Sequence, residues 1–195
     1  VIPTIDIRAD LQRVQLKVGL LEREVMPAAV RAMNKTLTTV RAEATKELRR
    51  DYPGVKASAM KARMKLVRAT RGKPTAAVVF SGSRFSLYGN FGMRPFGQFG
   101  VRFAKLPWRV ETLDGDVVGP ERMARAFRNR FRRGGRAAVF ARESKYRLSQ
   151  EMLLAPGIAR AIGERRVDAI LVRVGRARFA EVFAQEVRFI LSKRS

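Results

Sequence analysis

Cysteine and histidine are both missing from this chain of 195 residues. Without cysteine there is no disulfide framework and no thiolate metal site. Without histidine nothing titrates like an unperturbed imidazole near neutral pH. Ser–His and Cys–His catalysis are thereby excluded, while a carboxylate-based metal or hydrolase site remains possible. Carboxylates are scarce too: 17 Asp and Glu stand against 41 Lys and Arg, a formal net charge of +24. Such an excess repels itself and calls for a compensating partner. Nucleic acid is the commonest, with acidic protein surfaces and anionic membranes as the other choices. No apolar run reaches the length of a membrane span and no signal peptide is visible, so the expectation is cytoplasmic production and no membrane partner.

What is present is a sizeable apolar fraction, 46 %, enough for a core and against global disorder. The charge is unevenly placed. Between Asp51 and Glu111 there is no acidic residue but there are twelve Lys or Arg, and from Arg122 to Arg147 ten basic residues face only Glu143. This polarity predicts a basic face and a more neutral assembly face.

Ile2 to Arg8 alternates apolar and charged residues, as a short strand does, and Asp10 is placed to cap a helix. Apolar residues then recur at Leu11, Val14, Val18, Leu21 and Val25, and again at Val30, Met33, Leu37, Val40, Ala44 and Leu48. Steps of three and four make one helical stripe extending to about Arg50. Gly19 and Pro27 interrupt it, so a kink or break is expected at Pro27, or a second helix beginning there. The stripe reads as a helix packed in its own domain rather than a coiled-coil seam. Tyr52-Pro53-Gly54 turns the chain, and a short basic helix is expected near Lys56 to Met64. Lys65 to Thr70 and Thr75 to Phe80 read as strands joined by a hairpin loop at Arg71-Gly72-Lys73-Pro74.

Residues 83–100 interleave four glycines and five aromatics with only two charges, Arg84 and Arg94. That composition predicts a long loop or irregular extension. Val101 to Lys105, Trp108 to Leu113 and Ala137 to Ala141 are strand candidates, with Asp114-Gly115 a tight turn. The final third turns helical, with a break expected near Gly175. The fold class is α+β: a long N-terminal helix packed on an antiparallel sheet of about four to six strands, with C-terminal helices. The domain reading is one α+β domain over 1–160, carrying the 83–100 insertion, and a helical extension over 161–195.

Asp114 and Asp116 are the one local pair of carboxylates suited to a cation or to acid–base work, but Asp-Gly is the tight-turn dipeptide and no further ligands adjoin it. The glycines of 89–100 lack the Gly-Lys-Ser or Gly-Lys-Thr of a phosphate loop. No catalytic, cofactor-binding or metal-binding residue is assigned. Two contact sets are. Lys61, Arg63, Lys65, Arg68, Arg71, Lys73, Arg128, Arg130, Arg132, Arg133 and Arg136 are candidates for touching nucleic acid or an acidic partner. Phe85, Tyr88, Phe91, Phe96 and Phe99 can stack on bases, or insert into a neighbouring subunit, the use preferred for a structural protein.

Ala32-Met33-Asn34-Lys35-Thr36, followed by Val40-Arg41-Ala42-Glu43-Ala44, resembles the helix of prophage minor tail protein Z and related tail-completion proteins. Val55 to Met64 and Lys65 to Thr70 look like the short basic helix and basic strand that follow there. Gly135 to Leu148, with Ala138-Val139-Phe140 and Arg142, is similar to the family's G-x-x-x-V-F-x-R strand. The likeness covers roughly 10–80 and 120–160. It departs at Leu148-Ser149-Gln150 and Ala155-Pro156-Gly157, where the family often has Leu-Pro-Ile and Gly-Pro. The resemblance implies a non-enzymatic virion protein at the head-proximal end of a phage tail, helping to complete the tail and join the head. It also implies a homo-oligomer, a hexameric ring being the natural count, with other tail and neck proteins and the packaged DNA as partners. The alternative expectation is a sequence-independent nucleic-acid-binding protein.

Overall fold

The computed structural model describes residues 22–88, 90–91, 93–96, 100–130, 137–142 and 150–193. The expected Ile2–Arg8 strand, the Asp10 cap, the start of the helical stripe with Gly19, and the side chains of Phe96, Phe99, Arg130, Arg132, Arg133 and Arg136 lie outside what is described. The fold is α+β, with a long N-terminal helix, antiparallel sheets and C-terminal helices. The chain divides into two compact units: one formed by 1–46, 61–80 and 162–195, the other by 47–60 and 81–161.

The first unit is built on helix α1 (Glu22–Asp51), the hairpin of β1 (Met64–Val67) and β2 (Ala77–Phe80), and helix α5 (Val167–Ser192). The stripe of α1 is buried as its spacing requires: Val25, Ala28, Ala29, Ala32, Met33, Leu37, Val40 and Ala44 are all removed from solvent. Small residues at 28, 29 and 32 leave room for the larger Phe179, Val182, Phe183 and Val187 of α5, and this is the unit's core. Phe179 and Phe183 stack with centroids 5.4 Å apart.

The expected break at Pro27 does not occur, and α1 runs through it. Proline there forfeits one backbone bond near the described start of the helix, while the buried stripe continues on both sides of it. Nor does α5 break at Gly175, which is buried inside it. A mid-helix glycine costs roughly 1 kcal/mol, a penalty that a packed helix absorbs. The helices separate instead at Arg166, whose φ of 52° is left-handed.

The second unit holds a five-stranded antiparallel sheet in the order β4 (Met93–Phe96), β5 (Gly100–Phe103), β6 (Phe127–Arg130), β7 (Ala137–Arg142), β8 (Gln150–Met152). A two-stranded ladder joins β3 (Phe85–Ser86) to β9 (Leu154–Ala155). Short helix α3 (Pro120–Ala124) lies between β5 and β6 in the chain. Helices α2 (Ala57–Ala62) and α4 (Ile158–Glu164) complete the element list.

Two sequence expectations are corrected here. Residues 83–100 are not a structureless arm: they supply β3 and β4, because Phe85, Leu87 and Phe91 are buried and need backbone partners when desolvated. Conversely, Trp108 to Leu113 is not a strand. It makes only isolated bridges, Glu111 meeting Val117 on one side and Leu154 on the other. The turn at Asp114-Gly115 is real, with Gly115 at φ 106° and Thr112 closing it through its amide to the Asp116 carbonyl at 2.9 Å.

Candidate functional site

The basic candidates that can be placed fall into two groups. Lys61, Arg63, Lys65, Arg68, Arg71 and Lys73 all belong to the first unit, on the end of α2, on β1 and on the β1–β2 loop. Pairing of Met64 with Phe80 and Leu66 with Val78 puts those apolar residues on the inner face of the hairpin. Lys65 therefore points outward by the two-residue period, and Arg68, Arg71 and Lys73 are exposed at the loop. The loop is held by Thr70, which exchanges bonds with Lys73: its amide donates to the Lys73 carbonyl at 3.0 Å and its hydroxyl accepts from the Lys73 amide at 3.1 Å. Arg128 is exposed on β6 in the second unit.

The residues that resemble the tail-completion helix have specific work in the first unit. The Asn34 amide makes two bonds to Ala69, donating to its carbonyl at 3.0 Å and accepting from its N–H at 2.9 Å. This clamps the chain leaving β1 onto the helix. Lys35 and Arg31 both donate to Glu186 of α5, at 2.7 and 2.6 Å. Thr36 turns its hydroxyl inward, beside a small apolar cavity of about 30 Å³ lined also by Met33, Val78 and Phe179. That volume holds about one water and is far below the ~300 Å³ of a small-molecule site.

The Lys35 ammonium donating to Glu186, opposed by burial and aided by Arg31, holds that carboxyl below the ordinary glutamate range. A folded value below the unfolded one means the contribution is complete above the unfolded value and is lost as pH falls through the folded one. Arg31 and Lys35 remain about half exposed, with 48 % and 62 % of their side chains open to water, so solvent screens the pair. Glu186→Gln is expected to cost about 1–2 kcal/mol at pH 7 in denaturant unfolding. The gap between variant and wild type should close as pH drops below the glutamate range of about 4.3. A gap that is constant from neutral to acid pH would remove the ion pairs as its cause.

The second unit contains a cluster not apparent in the sequence. Glu111 is fully buried, with Arg109 Nε and Arg160 Nη1 each 2.8 Å from its carboxylate and Arg84 Nε at 4.0 Å. These are contacts of charge at ion-pair distance without hydrogen-bond alignment at the carboxylate oxygens. Arg84 also donates to the carbonyls of Thr112 and Leu113, at 2.8 and 2.6 Å, tying it to the Asp114-Gly115 turn. Asp114 and Asp116 are exposed on that turn, and among the described residues no three carboxylates gather to hold a metal ion. Among the described residues no helix is long and apolar enough to cross a membrane.

Of the aromatic candidates, Phe85 and Phe91 are buried within the second unit, Phe85 against the ring of Tyr52 at 5.2 Å. Their burial takes them out of the set expected to reach a neighbouring subunit. Tyr88 is 37 % exposed and keeps that possibility.

Comparison with known proteins returns no matching family model, no matching curated protein and no matching solved structure.

Proposed function

We propose that this chain is a non-enzymatic structural protein of a tailed phage, a tail-completion or neck component that assembles as a hexameric ring at the head-proximal end of the tail. The observation that carries the reading is the use of the motif residues in the first unit. Asn34 and Lys35 of the tail-completion-like helix tie it to the chain after β1 and to α5. The order long helix, short helix, basic strand is also the order that the resemblance implies. In this reading the exposed cations Lys61, Lys65, Arg68, Arg71 and Lys73 meet DNA in the channel or acidic surfaces of adjoining rings. A net charge of +24 supports such a partner, because a crowded ring of like-charged subunits needs neutralisation.

The test is the composition of particles. Mass spectrometry of purified virions is expected to find the chain, and cryo-electron microscopy to find its ring at the tail's upper end. Deletion should leave heads and tails unjoined. A chain absent from complete particles, with joining unaffected by its deletion, would overturn the proposal.

A further inference from the structure

The faces of the five-stranded sheet follow from its pairing. Cross-strand partners in an antiparallel sheet share a face, and along each strand the faces alternate. Arg94 is opposite Arg102, Gly100 opposite Phe127, Phe127 opposite Phe140, Asn129 opposite Ala138, and Phe140 and Arg142 opposite Met152 and Gln150. One face therefore carries Arg94, Arg102, Phe127, Asn129, Phe140 and Arg142. The other carries Val101, Val139 and Ala141, all buried, together with exposed Arg128 opposite Val139 and half-buried Glu151 opposite Ala141.

The first face is open in part, with Ala138 and Phe140 on it buried. Arg94, Arg102, Asn129, Arg142 and Gln150 are exposed and Phe127 is half-exposed, its ring stacked on buried Phe140 at 6.2 Å between centroids. The Arg142 guanidinium lies 5.8 Å from the Phe127 centroid. No described residue of this face is acidic, and Glu151, the carboxylate on β8, falls on the opposite face beside Arg122. A sheet surface with a supported ring, a guanidinium plane beside it and flanking cations has two complementary parts. Rings and guanidinium planes stack on bases, and the arginines neutralise phosphates. An acidic peptide would use only the second.

We infer that this face, centred on Phe127 with Arg94, Arg102 and Arg142, binds single-stranded nucleic acid. The inference stands apart from the virion role, since it concerns the second unit alone.

The experiment is fluorescence anisotropy of the full chain with labelled oligothymidine and oligouridine of about 12 nucleotides, a duplex of equal length, and polyglutamate, at about 0.15 M salt. Either single strand is expected to bind more tightly than polyglutamate, and a preference between the two identifies DNA or RNA as the source. Phe127→Leu keeps apolar volume on Phe140 but removes the stacking ring. It should weaken single-strand binding about tenfold and leave duplex binding unchanged. Arg68→Gln/Arg71→Gln/Lys73→Gln, on the hairpin loop, should weaken strand and duplex alike. Equal single-strand affinity for wild type and Phe127→Leu would overturn the inference, as would polyglutamate binding as well as the strand. Should the leucine variant not fold, photocrosslinking of a 5-iodouridine strand to the wild-type chain decides. Crosslinks at Phe127 or its neighbours on β5 to β7 support the face, and crosslinks confined to 61–73 overturn it.

Discussion

Gly157→Ala is expected to lower the stability of the second unit by about 3 kcal/mol or more, read as a fall in melting temperature of about 6–12 °C for a chain of this size. A Cβ at Gly157 would lie 2.6 Å from the carbonyl carbon of Gly82, 3.1 Å from its Cα, and closer still to its carbonyl oxygen. Those atoms are backbone, so no rotamer change can relieve the clash. The two segments are also tied beside the contact, the Ala159 amide donating to the Ser81 carbonyl at 3.3 Å. On the other side, the Tyr52 hydroxyl donates to the carbonyls of Pro156 and Gly157, at 3.0 and 3.3 Å. Moving the chain at 157 therefore strains contacts on both sides. Gly82→Ala is the control: nothing lies within 4 Å of a Cβ there, and the change should fall within about 0.5 kcal/mol of neutral. A Gly157→Ala variant melting within about 2 °C of wild type would show that the two segments separate cheaply.

Glu111→Gln should be of similar size, about 3 kcal/mol, by a different mechanism. The buried carboxylate is the shared counter-charge of Arg84, Arg109 and Arg160. Neutralising it removes the charge on which three guanidiniums converge, and the new amide turns a donor toward donors. The arginines are partly exposed, from 22 to 41 % of their side chains, so water recovers some of the loss and the effect stays at the low end for a broken buried pair. The same position anchors the backbone, exchanging bonds with Leu154 at 2.9 and 2.8 Å. Asp114→Asn and Asp116→Asn, three and five positions on, should each change stability by less than about 0.5 kcal/mol because those carboxylates are exposed. Urea unfolding of the three variants makes the comparison. Equal effects at 111 and 114 would mean that the arginine cluster is not held together by Glu111.

Much of the first unit was legible in the chain. The step of three and four found Val25, Met33, Leu37, Val40, Ala44 and Leu48 on the buried face of α1. Val30 is only half-buried, however, and the small Ala28, Ala29 and Ala32 were not read as part of that face. The breakers at Tyr52-Pro53-Gly54 marked the end of the helix, Gly54 lying at φ 92°. The β-branched run before Ser81-Gly82 located β2, and the loop between the strands fell where glycine and proline cluster. Breakers misled where packing outweighed propensity, at Pro27 and Gly175. In the second unit the reading was thinner. Residues 83–100 have the composition of a loop, yet Phe85 and Phe91 are core residues, and their strands are only two and four residues long, too short to show a period. β6 was missed for the same reason: Phe127-Arg128-Asn129-Arg130 is four residues with three polar side chains and carries no apolar signal.

The chain by itself determined the α+β class, the helices and their buried stripe, the exclusion of thiol and imidazole chemistry, and a large positive charge seeking a partner. These are local or additive properties: periodicity needs only neighbours along the chain, and charge needs only a count. Tertiary structure alone decided which residues meet. Arg84, Arg109 and Arg160 come to Glu111 from separate segments, and Arg94, Arg102 and Arg142 share a face with Phe127 through three strand pairings. A slip of one residue in any of those ladders would send its arginine to the opposite face. Register depends on the packing of the whole unit, which no local pattern contains.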